Sequence, residues 1–273
     1  MYLIFTDLDG TLLDHGTYGW EAARPALDRL KSEEVPWIIV TSKTRGEVEL
    51  WRRELGNGHP FIVENGGAAY IPAGYLPGAA RGAGRRGGYE VLEWGTPYSE
   101  LVASLETASR CSQCRVRGFH EMTPEEVGRL CELPLEQAVL AKQREYGEPF
   151  LILDPERTEG LLAAIEGQGR RWTKGGRFWH ILGANDKAVA VQALTALFEE
   201  ACGPVVTIGL GDGLNDAGFL NLVAAPILIR SSHSGELQAR VPRGEVTERP
   251  GPAGWSDALL KIIPAGHRDR GPR

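Results

Sequence analysis

An apolar strand that stops abruptly at charged residues occurs twice in this chain, and it constrains the fold more than anything else. The run "MYLIF" leads straight into "TDLDGTLLD", residues 6–14. Far downstream, "PVVTIGLGDG", residues 204–213, repeats the pattern of an apolar strand with a glycine-rich, acidic end. A fold gains nothing from crowding Asp7 and Asp9 at a strand end, because like charges raise each other's pKa unless a cation offsets them. Strands that are apolar along their length and separated by helices indicate a parallel sheet covered on both faces. Such a sheet presents its functional groups at the carboxyl ends of its strands. The expected fold class is therefore α/β, with a doubly wound, mostly parallel sheet.

The rest of the chain fits that frame and interrupts it once. "TYGWEAARPALDRLKSEE" has helical spacing, with Pro25 in its first turn. "VPWIIVTSK" is a second buried strand, "TRGEVELWRRELG" a helix closed by Gly56, and "PFIVENGGAAYIP" a strand turning into another. Residues 74–89, "GYLPGAARGAGRRGGY", have no period and read as an exposed loop. Less regularly apolar elements follow: a helix near 97–109, a short strand near 115–119, and "TPEEVGRLCELP", which Thr123 and Glu126 open as a capping box. Then come a helix over "PLEQAVLAKQREY", a strand at "PFLIL", a helix near 156–167 and two strands in "RRWTKGGRFWHILG". Strand–helix alternation resumes at "NDKAVAVQALTALFEEACG". The expected organisation is a split core, residues 1–80 and 184–265, an inserted α+β cap over 81–183, and a frayed tail over 266–273.

Composition narrows the function classes. A net charge of −6 argues against nucleic acid as a partner. No apolar run approaches the roughly 20 residues needed to cross a bilayer, and the amino end lacks the flanks of a signal peptide, so the expected location is the cytoplasm. The four cysteines include "CSQC", Cys111 to Cys114, which is open to a redox or zinc reading with His120 and Cys131. No second such pair follows, and reduced, incidental thiols suit a cytosolic chain.

Four features at strand or helix ends carry chemistry. Asp7 and Asp9 can reach one point if the chain curls, and a hard divalent ion, Mg²⁺, suits few carboxylates plus waters and phosphate oxygens. An acidic loop with an Asx-turn is the bland alternative. Thr41, Ser42 and Lys43 offer hydroxyls and a cation to phosphate oxygens, or simply cap the next helix. Lys187 opens a helix, where a cation opposes the dipole and an anionic ligand would give it a reason; a surface lysine is the alternative. "GLGDGLND" turns sharply and adds Asp212 and Asp216. It is not G-x-G-x-x-G, and no P-loop occurs elsewhere.

In that order, "DLDGTLLD", the "TSK" strand end, an isolated Lys and "GDGLND" resemble the four motifs of the haloacid dehalogenase (HAD) superfamily. The insertion between the second and third resembles its type-2 (C2B-like) cap. Within that superfamily, "VTSKTRGEVE", "FIVENGGAAYIP", "REYGEPF" and "GGRFWHILGANDKAVAV" are similar to the mannosyl-3-phosphoglycerate phosphatases. The resemblance implies a Mg²⁺-dependent phosphomonoesterase that acts on a phosphosugar derivative through an aspartyl-phosphate. Asp7 would be the nucleophile and Asp9 the acid and base. Mg²⁺ would be held by Asp7, the Asp9 backbone, Asp212 and, through its waters, Asp216. Thr41, Ser42, Lys187 and Asn215 would cradle the phosphoryl group. Lys43, Arg45, Arg144, Glu148 and Arg177 become the candidates for the leaving group, and His180 is read as a core residue. Sucrose-phosphate and Cof-type phosphatases or a phosphomannomutase-like enzyme share the core motifs. A phosphosugar-binding module without activity is the other class.

Overall fold

The computed structural model describes residues 1–77, 83–175 and 177–266. In β1 (Tyr2–Thr6), Ile4 packs on one side of the sheet and Leu3 and Phe5 on the other, the two-residue period of a strand. All three are fully buried, so both faces must be covered. After β1 come α1 (Arg24–Ser32), β2 (Trp37–Val40), α2 (Arg45–Leu55) and β3 (Phe61–Val63). Thr44 and Glu47 make a capping box at the start of α2, and Gly56 ends it in the left-handed conformation. The chain then reverses into β4 (Ala68–Pro72), followed by β5 (Gly84–Arg86) and β6 (Tyr89–Glu93), which pair as a hairpin.

A second unit follows: α3 (Tyr98–Ser112), β7 (Val116–Gly118), α4 (Pro124–Cys131), α5 (Leu135–Ala141), β8 (Gly147–Ile152), α6 (Thr158–Glu166), β9 (Arg171–Gly175) and β10 (Phe178–Leu182). Its antiparallel sheet has the order β7-β8-β10-β9. Leu101, Leu105, Leu161 and Ile165 of α3 and α6 pack on Phe150 and Ile181, while Val127 and Ala138 of α4 and α5 cluster with Phe119 and Phe178.

The chain returns to the first sheet through α7 (Lys187–Cys202), β11 (Val206–Gly211), α8 (Ala217–Leu222), β12 (Ala225–Arg230), α9 (Ser234–Arg240), β13 (Glu245–Pro250) and α10 (Gly251–Ile262). The order is β13-β12-β11-β1-β2-β3-β4-β6-β5, parallel from β13 to β3. Leu27, Val48, Trp255 and Leu259 cover one face; Ala190, Leu194, Phe198, Phe219 and Leu237 cover the other. Burial of one such large side chain contributes ~2–3 kcal/mol. Strands β1 and β11 are adjacent, so the two acidic strand ends met in the sequence lie side by side.

Three expectations need adjustment. The core sheet does not stop at residue 80: β6 pairs with β4 through Glu93, so the 84–93 hairpin belongs to the core. Strand β5 is fully exposed and rich in Gly and Arg, which is why it carries no apolar alternation. The helix expected over 134–146 ends at Ala141, because Arg144, Glu145 and Tyr146 are drawn to Glu64 at the junction between the two units. The tail from 267 onward lies outside the described residues, and Gly266 N–H donates to Glu33 at 2.9 Å.

Candidate active site

The site forms where β1 and β11 end. Asp7 N–H donates to the Leu210 carbonyl at 2.9 Å, which carries the sheet pairing one residue past β1. Trp255 Nε1 donates to Thr6 Oγ1 at 3.0 Å and pins the same corner from α10. The chain then curls at Gly10, with φ +76°; a Cβ there would lie 2.6 Å from Asp212 Oδ2. Any other residue there would have to push the Asp212 carboxylate aside as well as take up a left-handed backbone. Thr11 Oγ1 donates to Asp212 Oδ1 at 3.0 Å, so the first motif holds a carboxylate of the fourth.

Lys187, the first residue of α7, is 1% exposed and donates to Asp7 Oδ1 at 2.7 Å and Asp216 Oδ1 at 2.5 Å. Asp186 caps that helix by accepting from Val189 N–H. Burial opposes the Lys187 charge, but Asp216 and Asp7 outweigh it, and its pKa rises. Asp216 also accepts from Gly213 N–H at 2.9 Å. Asp7, Asp212 and Asp216 each bring a carboxylate oxygen within 4.8 Å of the others.

One ammonium does not neutralise three carboxylates. Burial, then Asp216 and Asp212, push Asp7 well above the usual carboxylate range despite Lys187. Burial and Asp216 push Asp212 up to about 7. The cluster lacks positive charge, and its donors are hard oxygens, so its residues fit a divalent cation of the Mg²⁺ type.

Asp9 stands outside that cluster. Its Oδ2 pairs with Lys43 Nζ at 3.0 Å, while its buried Oδ1 has no hydrogen-bond partner. Lys43 is buried between Asp9 and Glu47, with its ammonium 5.1 Å from the Tyr18 ring centroid. Burial disfavours the Lys43 charge, but Asp9 and Glu47 win and raise its pKa. Thr41 Oγ1 accepts from Lys43 N–H at 3.2 Å, and the Ser42 carbonyl accepts from Arg144 Nη1 at 3.2 Å. Asn215 Nδ2 donates to Asn65 Oδ1 at 3.1 Å.

Comparison with known proteins gives the family. A model of haloacid dehalogenase-like hydrolases matches residues 4–76. A glucosyl-3-phosphoglycerate/mannosyl-3-phosphoglycerate phosphatase of Methanococcoides burtonii is 42% identical over 265 residues, covering 96% of this chain and 97% of its own. One of the same description from Persephonella marina is 41% identical and covers the same shares, 96% and 97%. The chain belongs to this phosphatase family of HAD-like hydrolases. Among solved structures, a protein of Thermoplasma acidophilum matches the fold with a TM-score of 0.67 over 96% of this chain and 98% of its own, at 17% identity. No helix among the described residues is long and apolar enough to cross a membrane.

Of the family-implied residues, Asp7, Lys187, Asp212 and Asp216 meet directly, and Asp9, Thr41, Ser42 and Lys43 adjoin each other. The leaving-group candidates behave differently. Arg144 is buried and reaches both units: Nε donates to the Gly147 carbonyl at 2.9 Å and pairs with Glu64 at 3.2 Å, while Nη2 is buried without a partner. Arg45 lies at the edge between the units, paired with Glu49 at 3.4 Å and Glu145 at 3.6 Å. Glu148 is fully buried, and its oxygens are taken by Tyr98 Oη at 2.7 Å and by His120 N–H and Nδ1 at 3.0 and 2.7 Å. It organises the cap from within. Arg177 is half exposed and lies 3.6 Å from Glu132. His180 is buried, with Nδ1 unpartnered, and burial, then Arg144 and Lys187, push its pKa down to about 3.

Sequence reasoning missed Tyr18, Glu64, Asn65 and Asn185. Tyr18, Glu64 and Asn65 have positive φ, of 57°, 47° and 56°. Left-handed backbone at a non-glycine residue has no periodic trace in a sequence, although "ENGG" does contain Asn, the non-glycine residue that tolerates it best.

Proposed function

We propose that this chain hydrolyses a glycosyl-3-phosphoglycerate, the mannosyl or glucosyl compound, to the glycosylglycerate and inorganic phosphate. The observation that carries the reading is the buried Lys187 ammonium shared by Asp7 and Asp216, beside Asp212. That cluster supports the reading of Asp7 as nucleophile, because it leaves room in the charge balance for a cation beside the carboxylate at the end of β1. Asp7 attacks phosphorus in line, the bond from phosphorus to the glycerate oxygen breaks, and an aspartyl-phosphate forms. Asp9, with its unpartnered Oδ1, gives its proton to the departing alkoxide and then takes one from the attacking water. Water attack at phosphorus restores the Asp7 carboxylate and frees phosphate. Lys187, Thr41, Ser42 and Asn215 orient the phosphoryl oxygens and balance their charge. Mg²⁺, held by Asp7 and Asp212 with Asp216 behind them, would supply further charge neutralisation at phosphorus.

The substrate assignment draws on the relatives' names and on their match over nearly the whole chain. Lys43 pairs with Asp9 and Arg144 reaches the Ser42 carbonyl, so these two cations are the candidates to meet a glycerate carboxylate. Phosphate release is measured from mannosyl- and glucosyl-3-phosphoglycerate, sucrose phosphate and p-nitrophenyl phosphate, with Mg²⁺ and with EDTA. The reading expects Mg²⁺-dependent release and the highest kcat/KM for a glycosyl-phosphoglycerate. A clear preference for sucrose phosphate would overturn the substrate, and no turnover of any phosphomonoester would leave only a binding module.

A further inference from the structure

Residues 64–66 make a turn with three successive left-handed residues: Glu64 at φ +47°, Asn65 at +56° and Gly66 at +84°. Such backbone persists only where its surroundings over-determine it, and here they come from every part of the site. Glu64 N–H donates to the Lys43 carbonyl and Asn65 N–H to the Thr41 carbonyl, both at 3.0 Å. Asn185 Nδ2 reaches the Glu64 and Asn65 carbonyls at 3.4 and 3.3 Å. Gly66 lies so near the start of α7 that a Cβ would come within 2.0 Å of the Asp186 carbonyl oxygen. Toward the cap, the buried Glu64 carboxylate accepts from the Glu145 and Tyr146 N–H groups at 2.8 and 3.0 Å and pairs with Arg144.

The Asn65 side chain points the other way. It is 3% exposed, its Oδ1 accepts from Asn215, and its Nδ2 has no partner. Asn65, Asn185, Lys187 and Asn215 line one cavity of about 250 Å³, and Asn185 Oδ1 is likewise buried and unpartnered. A buried amide left half-satisfied is costly, and polar atoms kept so beside phosphoryl-binding groups point to a role in the reaction.

We infer that Asn65 is a positioning residue of the phosphoryl-transfer site: it holds Asn215 in register with Lys187, and its left-handed turn ties that register to the seating of the cap through Glu64. The inference rests on the phosphatase reading above. Asn65→Gly tests it, because glycine keeps the left-handed backbone and removes only the amide. With mannosyl-3-phosphoglycerate and with p-nitrophenyl phosphate, kcat should fall by a similar factor, roughly 100-fold. Inhibition by orthovanadate should weaken, and the melting temperature should hold. In an Asn215→Ala background the same substitution should add almost nothing, since the two act as a unit. Asn65→Ser, too short to reach Asn215, repeats the test if the glycine variant does not fold. Wild-type kcat in the folded variant, or full additivity with Asn215→Ala, would overturn the inference. A wild-type protein inactive on every phosphomonoester would instead remove the function on which it rests.

Discussion

Lys187 and Arg177 are both expected functional cations, one for the phosphoryl group and one for the leaving group, and the fold treats them oppositely. Lys187 is sealed in the core between two carboxylates, whereas Arg177 stands half in solvent on a cap hairpin, 3.6 Å from an exposed Glu132. Phosphoryl transfer needs fixed charges at one point, and a strand end beside a helix start delivers them rigidly. The cap instead spends its buried polar groups on its own order, as Glu148 does with Tyr98 and His120. On the proposed function, the core supplies the groups for the chemistry and the seam between the units is left for recognition.

The largest effect should come from the core. Asp7→Asn should lower phosphate release by about 10⁴-fold or more, as loss of a nucleophile does, with the fold intact by circular dichroism. Lys187→Met should be nearly as damaging to turnover and should also cost about 3–5 kcal/mol in urea unfolding, because it leaves buried carboxylates without their cation. If Lys187→Met unfolds at the wild-type urea midpoint, the core carboxylates are not held by that ammonium.

Glu148→Ala sharpens the contrast from the cap side. It strands Tyr98 Oη and the His120 N–H, and about 2–3 kcal/mol of stability should be lost. Turnover of p-nitrophenyl phosphate by the folded fraction should stay near the wild-type value. An equal loss on this small substrate would place Glu148 in the chemistry after all.

What could be read from the sequence follows the same division. Asp7, Asp9, Thr41 and Asp212 lie in short contiguous motifs where apolar strand meets charge, so local pattern finds them; Lys187, isolated at a helix start, is found by its order among those motifs. Asn65 is found in neither way: its partner Asn215 is 150 positions away, and its value lies in a backbone angle. Strand β5 of the 84–93 hairpin escaped because an exposed edge needs no apolar alternation, and it hid the partly buried β6 that follows it. The polar β13, likewise at an edge, gave no strand signal, although α10 behind it buries Trp255 completely.

Each unit holds a buried neutral histidine whose share of the stability is lost in acid, opposite in sign to the raised carboxyls of Asp7 and Asp212, which bind protons in the folded state. In the core, burial and then Arg52 push His59 down to about 4, with Nδ1 held at 2.5 Å by Tyr75 Oη. In the cap-facing crevice His180 is pushed down to about 3. Each stays neutral when folded but takes a proton when unfolded, below the ordinary value near 6.5. Unfolded chains then bind more protons, so stability falls as pH drops from about 6.5 toward 4, on the order of 1–3 kcal/mol per group. His59→Gln should flatten the core share of that slope in urea titrations at pH 7, 6 and 5; an unchanged slope would assign the loss elsewhere.

The smallest effect belongs to Arg177→Ala. An exposed ion pair is worth about 0–1 kcal/mol, so the urea midpoint should barely move, and p-nitrophenyl phosphate should turn over as in wild type. The informative measurement is KM for mannosyl-3-phosphoglycerate. Burial pushes the Cys131 thiol up, and the charges of Glu47, Lys43, Arg177 and Asp9 all act on it, which links Arg177 electrostatically to the Lys43–Asp9 pair. A rise in KM for the glycosyl substrate alone, at constant kcat, would bring this solvent-facing arginine into the recognition seam and narrow the divide between the two cations. Unchanged KM would leave Arg177 a solvated hairpin residue and confine recognition to the buried side of the seam, where Arg144 already touches Ser42.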